Sequence, residues 1–414
     1  MFKMKKYKNI KSCRLCDSCN LSEIVNFGKT SLANSYLSEK NEKENKFPLT
    51  LVRCLDCGHI QIKESVDPKI LFSDYFYRSS DSKYLIGYFK DYAKQVFNKF
   101  KNKKIYKILE IGCNCGLLLE EINNLKFTEK LIGVDPASNI IPKNHDNIYY
   151  YNNFFNSDVA FKITKEHGKS DIIIANNVFA HIENINSITE GIKNALTKNG
   201  VFIFENAYAL STIKGLFFDQ IYHEHLQYFS IKPLQKYFKK YELEIFDVEF
   251  NENQGGSIRC FVKHCASKNN KVKKSVQSFI NQEESFGLYN DNCFVDFLSA
   301  ISTIKLKVNK FINKCKKENK TISCYGCPAK FALFSKFFNL NNKNIQYVVD
   351  DTPIKQGKYS PNSKILIVDN KYFQGSPTDY CLISAWNVSE FIINSNKNYS
   401  GKFINVFSKS FHYE

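Results

Sequence analysis

The chain has 414 residues, 43% of them hydrophobic and 15% aromatic, which is more than one hydrophobic core usually holds. No window reaches the roughly 18 uninterrupted apolar residues that a membrane-spanning helix needs, so such a helix is excluded. The formal charge of +17 comes from lysines scattered among asparagines, with no basic block; this argues against nucleic acid as a partner and is compatible with an anionic small substrate.

The first residues, MFKMKKYKNIKSC, are basic but lack the apolar core of a secretory signal, and point to the cytoplasm. Fourteen cysteines would stay reduced there and suit metal ligation. Cys13, Cys16, Cys54 and Cys57 form two C-x2-C pairs separated by 37 residues. Each pair places two thiolates on a tight turn, and two such turns close the tetrahedron of a structural zinc site with no open position for catalysis. Gly58 suits the second turn, and Cys19 and His59 are spare candidates.

A tyrosine-rich linker from residue 65 leads into IGYFKDYAKQVFNKF, whose apolar positions recur at helical spacing. Next, KKIYKILEIGCNCGLLLEEINNL reads as strand, glycine turn and helix, the opening of a nucleotide-binding α/β domain. Glu110, Gly112 and Gly116 make E-x-G-x-x-x-G, usual in S-adenosylmethionine-dependent methyltransferases. KLIGVDPA supplies a second strand ending in Asp135, about 20 residues on, where a carboxylate accepts both ribose hydroxyls. Strands at SDIIIANNVFAHI and GVFIFENAY alternate with helical patterns and predict a parallel sheet. The expected donor-binding residues are Glu110, Gly112, Asn114, Gly116, Asp135, Pro136, Asn176 and Asn177.

After residue 265 the composition turns polar, then helical, and then reads KTISCYGCPAKFALFSKFF, IQYVVDDTPIKQGKY, SKILIVD and DYCLISAW, which predicts a second α/β domain. Cys324 and Cys327 have no second pair nearby and are expected to be core thiols. Between these regions FFDQIYHEHLQYFS sets Tyr222, His223, Glu224 and His225 in succession. Metal binding, proton transfer and polar packing at a turn are all open to such a cluster.

Taken together, the blocks CRLC, FGKTSLANSYL, CLDCGHIQ, YFYRSSDS, EIGCNCGLLL, ANNVFAHI, FDQIYHEHLQYFS, NQGGSIR, YGCPAKF and VVDDTPIKQGKY resemble, over nearly the whole chain, the sugar C-methyltransferases that act on nucleotide-linked 4-keto-6-deoxy sugars. One departure is Cys115, where members often carry aspartate. The resemblance implies a mixed α/β protein: a small zinc-binding domain over 1–72, a Rossmann-like domain for S-adenosylmethionine over 73–265, and a second Rossmann-like domain over 266–414 that helps bind a nucleotide-diphosphate-linked keto sugar. It further implies methylation beside the ketone, with C3 the expected carbon, by a monomer. His225 is the expected base, Tyr222 and Glu224 its active-site partners, and Tyr77 lies near the sugar; Tyr222 or His181 donates to the enolate oxygen. The chemistry asks for a base that titrates near neutral pH. The rival readings are a metal on His223 and His225, for which no third ligand is evident, a methyltransferase acting on RNA or protein, and a non-catalytic zinc-containing binding protein.

Overall fold

The computed structural model describes residues 6–73, 78–81 and 83–408. Its centre is a seven-stranded sheet in the order Leu243–Asn251, Ser257–His264, Leu196–Ala207, Ser170–Asn176, Lys107–Ile111, Lys130–Asp135, Ile148–Asn152. Ser257–His264 runs antiparallel to both its neighbours and every other pairing is parallel. The inner strands are largely apolar because helices cover both faces; all five residues of Lys107–Ile111 are buried, Lys107 and Glu110 included, as are Ile172, Ile173 and Ile174. The chain reverses its direction of growth between Lys107–Ile111 and Ser170–Asn176, and ligands of open α/β sheets bind outside the carboxyl ends of strands at such a switch point. The predicted linker helix spans Lys83–Phe100.

The N-terminal sheet is antiparallel, with strands Leu21–Ser31, Lys46–Cys54 and Ile60–Ile62. Its fourth member comes from far along the chain: Gln227–Tyr228, just after the Tyr222–His225 cluster, pairs with Ile60–Ile62 in the register Gln227↔Gln61 and Tyr228↔Ile60. At the other end, a five-stranded parallel sheet is ordered Ile367–Val368, Val348–Val349, Ile322–Tyr325, Tyr380–Ile383, Lys402–Ile404, as the second α/β domain predicted. The helix Asp291–Lys317 precedes it and buries Phe294, Phe297, Ile301, Val308, Phe311, Ile312 and Cys315, a face set by helical spacing.

Polar contacts knit these parts together. Arg53 donates to the Tyr289 carbonyl and pairs with Asp291, and its guanidinium lies 5.3 Å from the centre of the Phe294 ring. Tyr36 donates to the Cys327 carbonyl at 2.9 Å, and Lys336 to the Phe27 carbonyl at 2.7 Å. Among the described residues no helix is long and apolar enough to cross a membrane.

Phe179, fully buried after the Ser170–Asn176 strand, contacts Phe204, Phe229, Phe202 and Phe238 at ring separations of 5.0, 5.4, 5.6 and 6.0 Å. It thereby joins the central sheet to the segment carrying His225. Phe179→Ala leaves a cavity that these rings cannot collapse to fill, and chemical denaturation should show a loss of about 3–5 kcal/mol.

Candidate active site

The loop after the first central strand is built for close backbone approach. Gly112 and Gly116 have φ of 69° and 75°, and a Cβ at either would overlap Val178 or Tyr150 respectively, so no other residue fits. Gly116 also caps the helix Leu117–Asn124. Asn114, with φ of 51°, accepts on its side-chain oxygen from the backbone N–H of Ser79 at 3.0 Å and of Cys115 at 2.9 Å. Cys115 is half-buried within this turn.

Asp135 ends the neighbouring strand and accepts from the N–H groups of Asn114 at 2.8 Å and Ala137 at 2.9 Å, with half-buried Pro136 between. Burial raises its pKa against these two bonds. Glu110 is fully enclosed, and burial, followed by the nearby Asp135 charge, pushes it up to about 8. Among the described residues one of its carboxylate oxygens, Oε2, has no hydrogen-bond partner, and the amide of Asn176 is buried beside it with few partners. Buried polar atoms of this kind, in a cradle that only glycine permits, fit a polar ligand such as the expected donor. Asn177 has φ of 53° and donates its N–H to the Glu205 carbonyl at 2.7 Å. The Glu205 carboxylate in turn holds Arg259 at 2.9 Å and receives the Tyr88 hydroxyl.

The histidine cluster follows a one-turn helix, Phe218–Gln220. His225 Nδ1 lies 3.0 Å from the Gln220 carbonyl, which can only accept, so the proton of the neutral ring sits on Nδ1. Nε2 is then the accepting nitrogen and receives the Tyr222 hydroxyl at 2.7 Å. The Gln220 carbonyl also accepts from Tyr228 at 3.1 Å. His181 packs edge-on to His225 with ring centres 5.0 Å apart, and among the described residues its buried Nε2 has no hydrogen-bond partner. Burial, with the His225 charge second, holds the His181 pKa well below the usual range.

The base expected to titrate near neutrality is depressed: burial, against the bond to Gln220, takes His225 down to about 4. Glu224 accepts from Asn34 of the N-terminal sheet region at 2.8 Å. His223 turns the other way, donating from Nε2 to the Pro48 carbonyl at 3.0 Å and packing edge-on against Phe47. Its ring and that of His225 therefore serve different neighbours, and neither joins a group of three or more potential metal ligands among the described residues. Tyr77, expected near the sugar, lies outside the described residues.

That ligand group is Cys13, Cys16, Cys54 and Cys57, with all four sulfurs within 4.8 Å of one another. The Cys13–Cys57 and Cys16–Cys54 separations are 3.7 and 3.4 Å, while the edge of a tetrahedron with 2.3 Å zinc–sulfur bonds is about 3.8 Å. The four thiolates would hold zinc as a closed structural centre. Cys19 is exposed and outside the group, and His59 stacks on Phe229. Cys324 and Cys327 are buried, and burial raises both thiols, as core residues require.

Comparisons with known proteins agree with this layout. Three family models match in series: "Putative zinc binding domain" over 13–72, "Methyltransferase domain" over 82–248 and "C-methyltransferase C-terminal domain" over 252–407. The C-methyltransferase NovU of Streptomyces niveus is 28% identical over 401 residues, 95% of each chain. The chain is an S-adenosylmethionine-dependent C-methyltransferase. Solved structures match this C-methyltransferase only in part. A SAM-dependent methyltransferase from Anabaena variabilis aligns at 16% identity over 41% of this chain and 83% of its own, with a TM-score of 0.33. The N-methyltransferase NodS from Bradyrhizobium japonicum aligns at 12% identity over 42% and 95%, with a TM-score of 0.32.

Sequence reasoning missed Asn34 and Gln220. Asn34 sits 190 residues from Glu224, and Gln220 orients His225 through its carbonyl, an atom that every residue carries. Zinc dependence gives a direct test of the cysteine centre. Metal analysis of the purified C-methyltransferase should find one zinc per chain, and Cys54→Ser should lose it along with resistance of the N-terminal segment to proteolysis.

Proposed function

We propose that this C-methyltransferase, a cytoplasmic monomer divided near residues 72 and 265, methylates the carbon beside the ketone of a nucleotide-linked 4-keto-6-deoxy sugar, with C3 the favoured position. The observation that carries the reading is the imidazole of His225, fixed with its proton on Nδ1 and an accepting Nε2 beside Tyr222. A hydrogen next to a ketone is acidic enough for such a nitrogen to remove.

In this reading the Tyr222 hydroxyl turns off Nε2 as the sugar enters, His225 takes that proton on the freed lone pair, and the C–H electron pair moves to the carbonyl oxygen. His181, whose Nε2 has no hydrogen-bond partner among the described residues, donates to that oxygen in its Nε2–H form, and the Tyr222 ring, 4.1 Å from that of His225, keeps it aligned. An imidazole with a pKa of about 4 is a weak base on its own. Imidazolium and enolate form together, however, and their attraction in a water-poor site offsets the cost of charging the ring. Glu224, anchored by Asn34, joins the N-terminal region to the sugar end of the site. When bound, S-adenosylmethionine would supply an electrophilic methyl group to the carbanion, and the residues that hold the two ligands would set the rate through their alignment. Asp135 holds the donor ribose in this scheme, with Glu110, Asn114 and Asn176 around it.

His225→Asn should leave donor and sugar binding unchanged and slow turnover by about 10²–10⁴, the usual worth of a general base. The same variant should lose the donor-independent exchange of the acidic sugar hydrogen for deuterium; near-normal methylation by it would remove His225 as the base. For the donor, calorimetric titration of Asp135→Ala should show affinity reduced by about 1.5–3 kcal/mol for each ribose hydrogen bond lost, and unchanged affinity would refute that contact.

A further inference from the structure

The chain has a single tryptophan, Trp386, directly after the Tyr380–Ile383 strand of the C-terminal sheet. Within its own domain its ring meets Phe407 edge-on at 5.4 Å, but its closest ring contact lies outside that domain. Its ring stacks on Phe217 with centres 3.9 Å apart, and a Cβ on Gly255 would collide with it, so both neighbours belong to the segments that wrap the donor sheet. Its indole N–H donates to Asp219 Oδ2 at 2.7 Å. The Lys330 ammonium lies 3.7 Å from the centre of the ring and donates to Asn387 at 2.7 Å.

Asp219 is fully buried, and among the described residues its other oxygen has no hydrogen-bond partner. The buried Lys330 charge and the backbone N–H groups of Asp219 and Gln220 offset part of the cost of ionising it, yet a buried ion pair is seldom more stabilising than apolar residues of the same volume. What the arrangement fixes is position. Asp219 and Gln220 share a peptide in the one-turn helix Phe218–Gln220, and the Gln220 carbonyl is the acceptor that sets the His225 tautomer. Thr212 and the Gln254 carbonyl hold the Gln220 side chain, so the turn is fixed from the donor domain on one side and by Trp386 on the other.

We propose that Trp386 is a positioning residue for the methyl transfer: by holding Asp219 it aims the Gln220 carbonyl at His225 Nδ1, and it thereby makes the base competent only when the C-terminal domain is docked. This rests on His225 being the base. The sequence hid the link, because 167 residues separate Trp386 from Asp219.

Trp386→Phe keeps a ring on Phe217 and removes only the N–H. With a nucleotide-linked 4-keto-6-deoxyhexose as substrate, kcat should fall about tenfold while KM and donor affinity stay within about twofold. In a His225→Asn background the same change should leave the residual rate unaltered, because it acts through the missing ring. Nitrogen-15 NMR of histidine-labelled protein needs no substrate: His225, identified by its absence from the His225→Asn spectrum, should show the Nδ1–H tautomer in the wild type and an altered tautomer balance in Trp386→Phe. Asp219→Ala should shift the same signals, and serves if Trp386→Phe does not fold. Unchanged His225 signals in these variants would overturn the proposal, as would an equal loss of rate with and without His225, the mark of a merely structural role. Near-normal turnover by His225→Asn would instead overturn the base assignment, and the NMR comparison would still decide whether Trp386 orients this imidazole.

Discussion

The hydrogen bond from His225 Nδ1 to the Gln220 carbonyl decides which imidazole nitrogen can accept a proton, and much of the surrounding structure serves to hold its two ends. A ring in the other tautomer would present an N–H, and no lone pair, at Nε2. The carbonyl end is fixed by the turn at Phe218–Gln220, and the ring end by Tyr222 and by the strand at Gln227–Tyr228 two residues further on. Neither end is held by the donor domain alone. The turn is gripped from the C-terminal sheet, and the strand is paired into the N-terminal one.

The charges on the two sides of the site are opposed in sense. On the donor side burial raises the cost of ionising both Glu110 and Asp135, and the Asp135 charge adds to it for Glu110. A cationic ligand relieves that cost, since its positive charge stabilises the carboxylates. On the histidine side burial suppresses positive charge on His181 and His225, so the rings are neutral until an anion forms beside them. The same desolvation thus makes carboxylate charge costly in one half of the cleft and imidazolium charge costly in the other.

How much of this was legible in the sequence depended on range. The cysteine pairs and the glycine loop are local: a knuckle or a strand–turn–helix imposes its own spacing, and Cys13, Cys54, Gly112 and Gly116 could be read directly. Asp135 was legible for the same reason, as the end of the next strand. The cluster Tyr222–His225 announced chemistry but not its direction, and the structure divides it, with His223 facing Pro48 and His225 facing Tyr222. The depressed pKa of His225 could not be read, because burial is a property of the whole fold. The sheet that unites Ile60–Ile62 with Gln227–Tyr228 was equally hidden, since pairing at such separation leaves no periodic trace.

That late strand has a consequence for the chain during its synthesis. The edge at Ile60–Ile62 is made early, and its partner residues follow more than 160 positions later. At about 5–20 residues per second the ribosome needs roughly ten to thirty seconds to supply them. Through that interval the nascent N-terminal sheet offers an open, apolar edge to any neighbouring chain, the configuration from which strands aggregate. Production of this enzyme is therefore sensitive to translation speed and to crowding of nascent chains, at a stage when the Tyr222–His225 cluster does not yet exist.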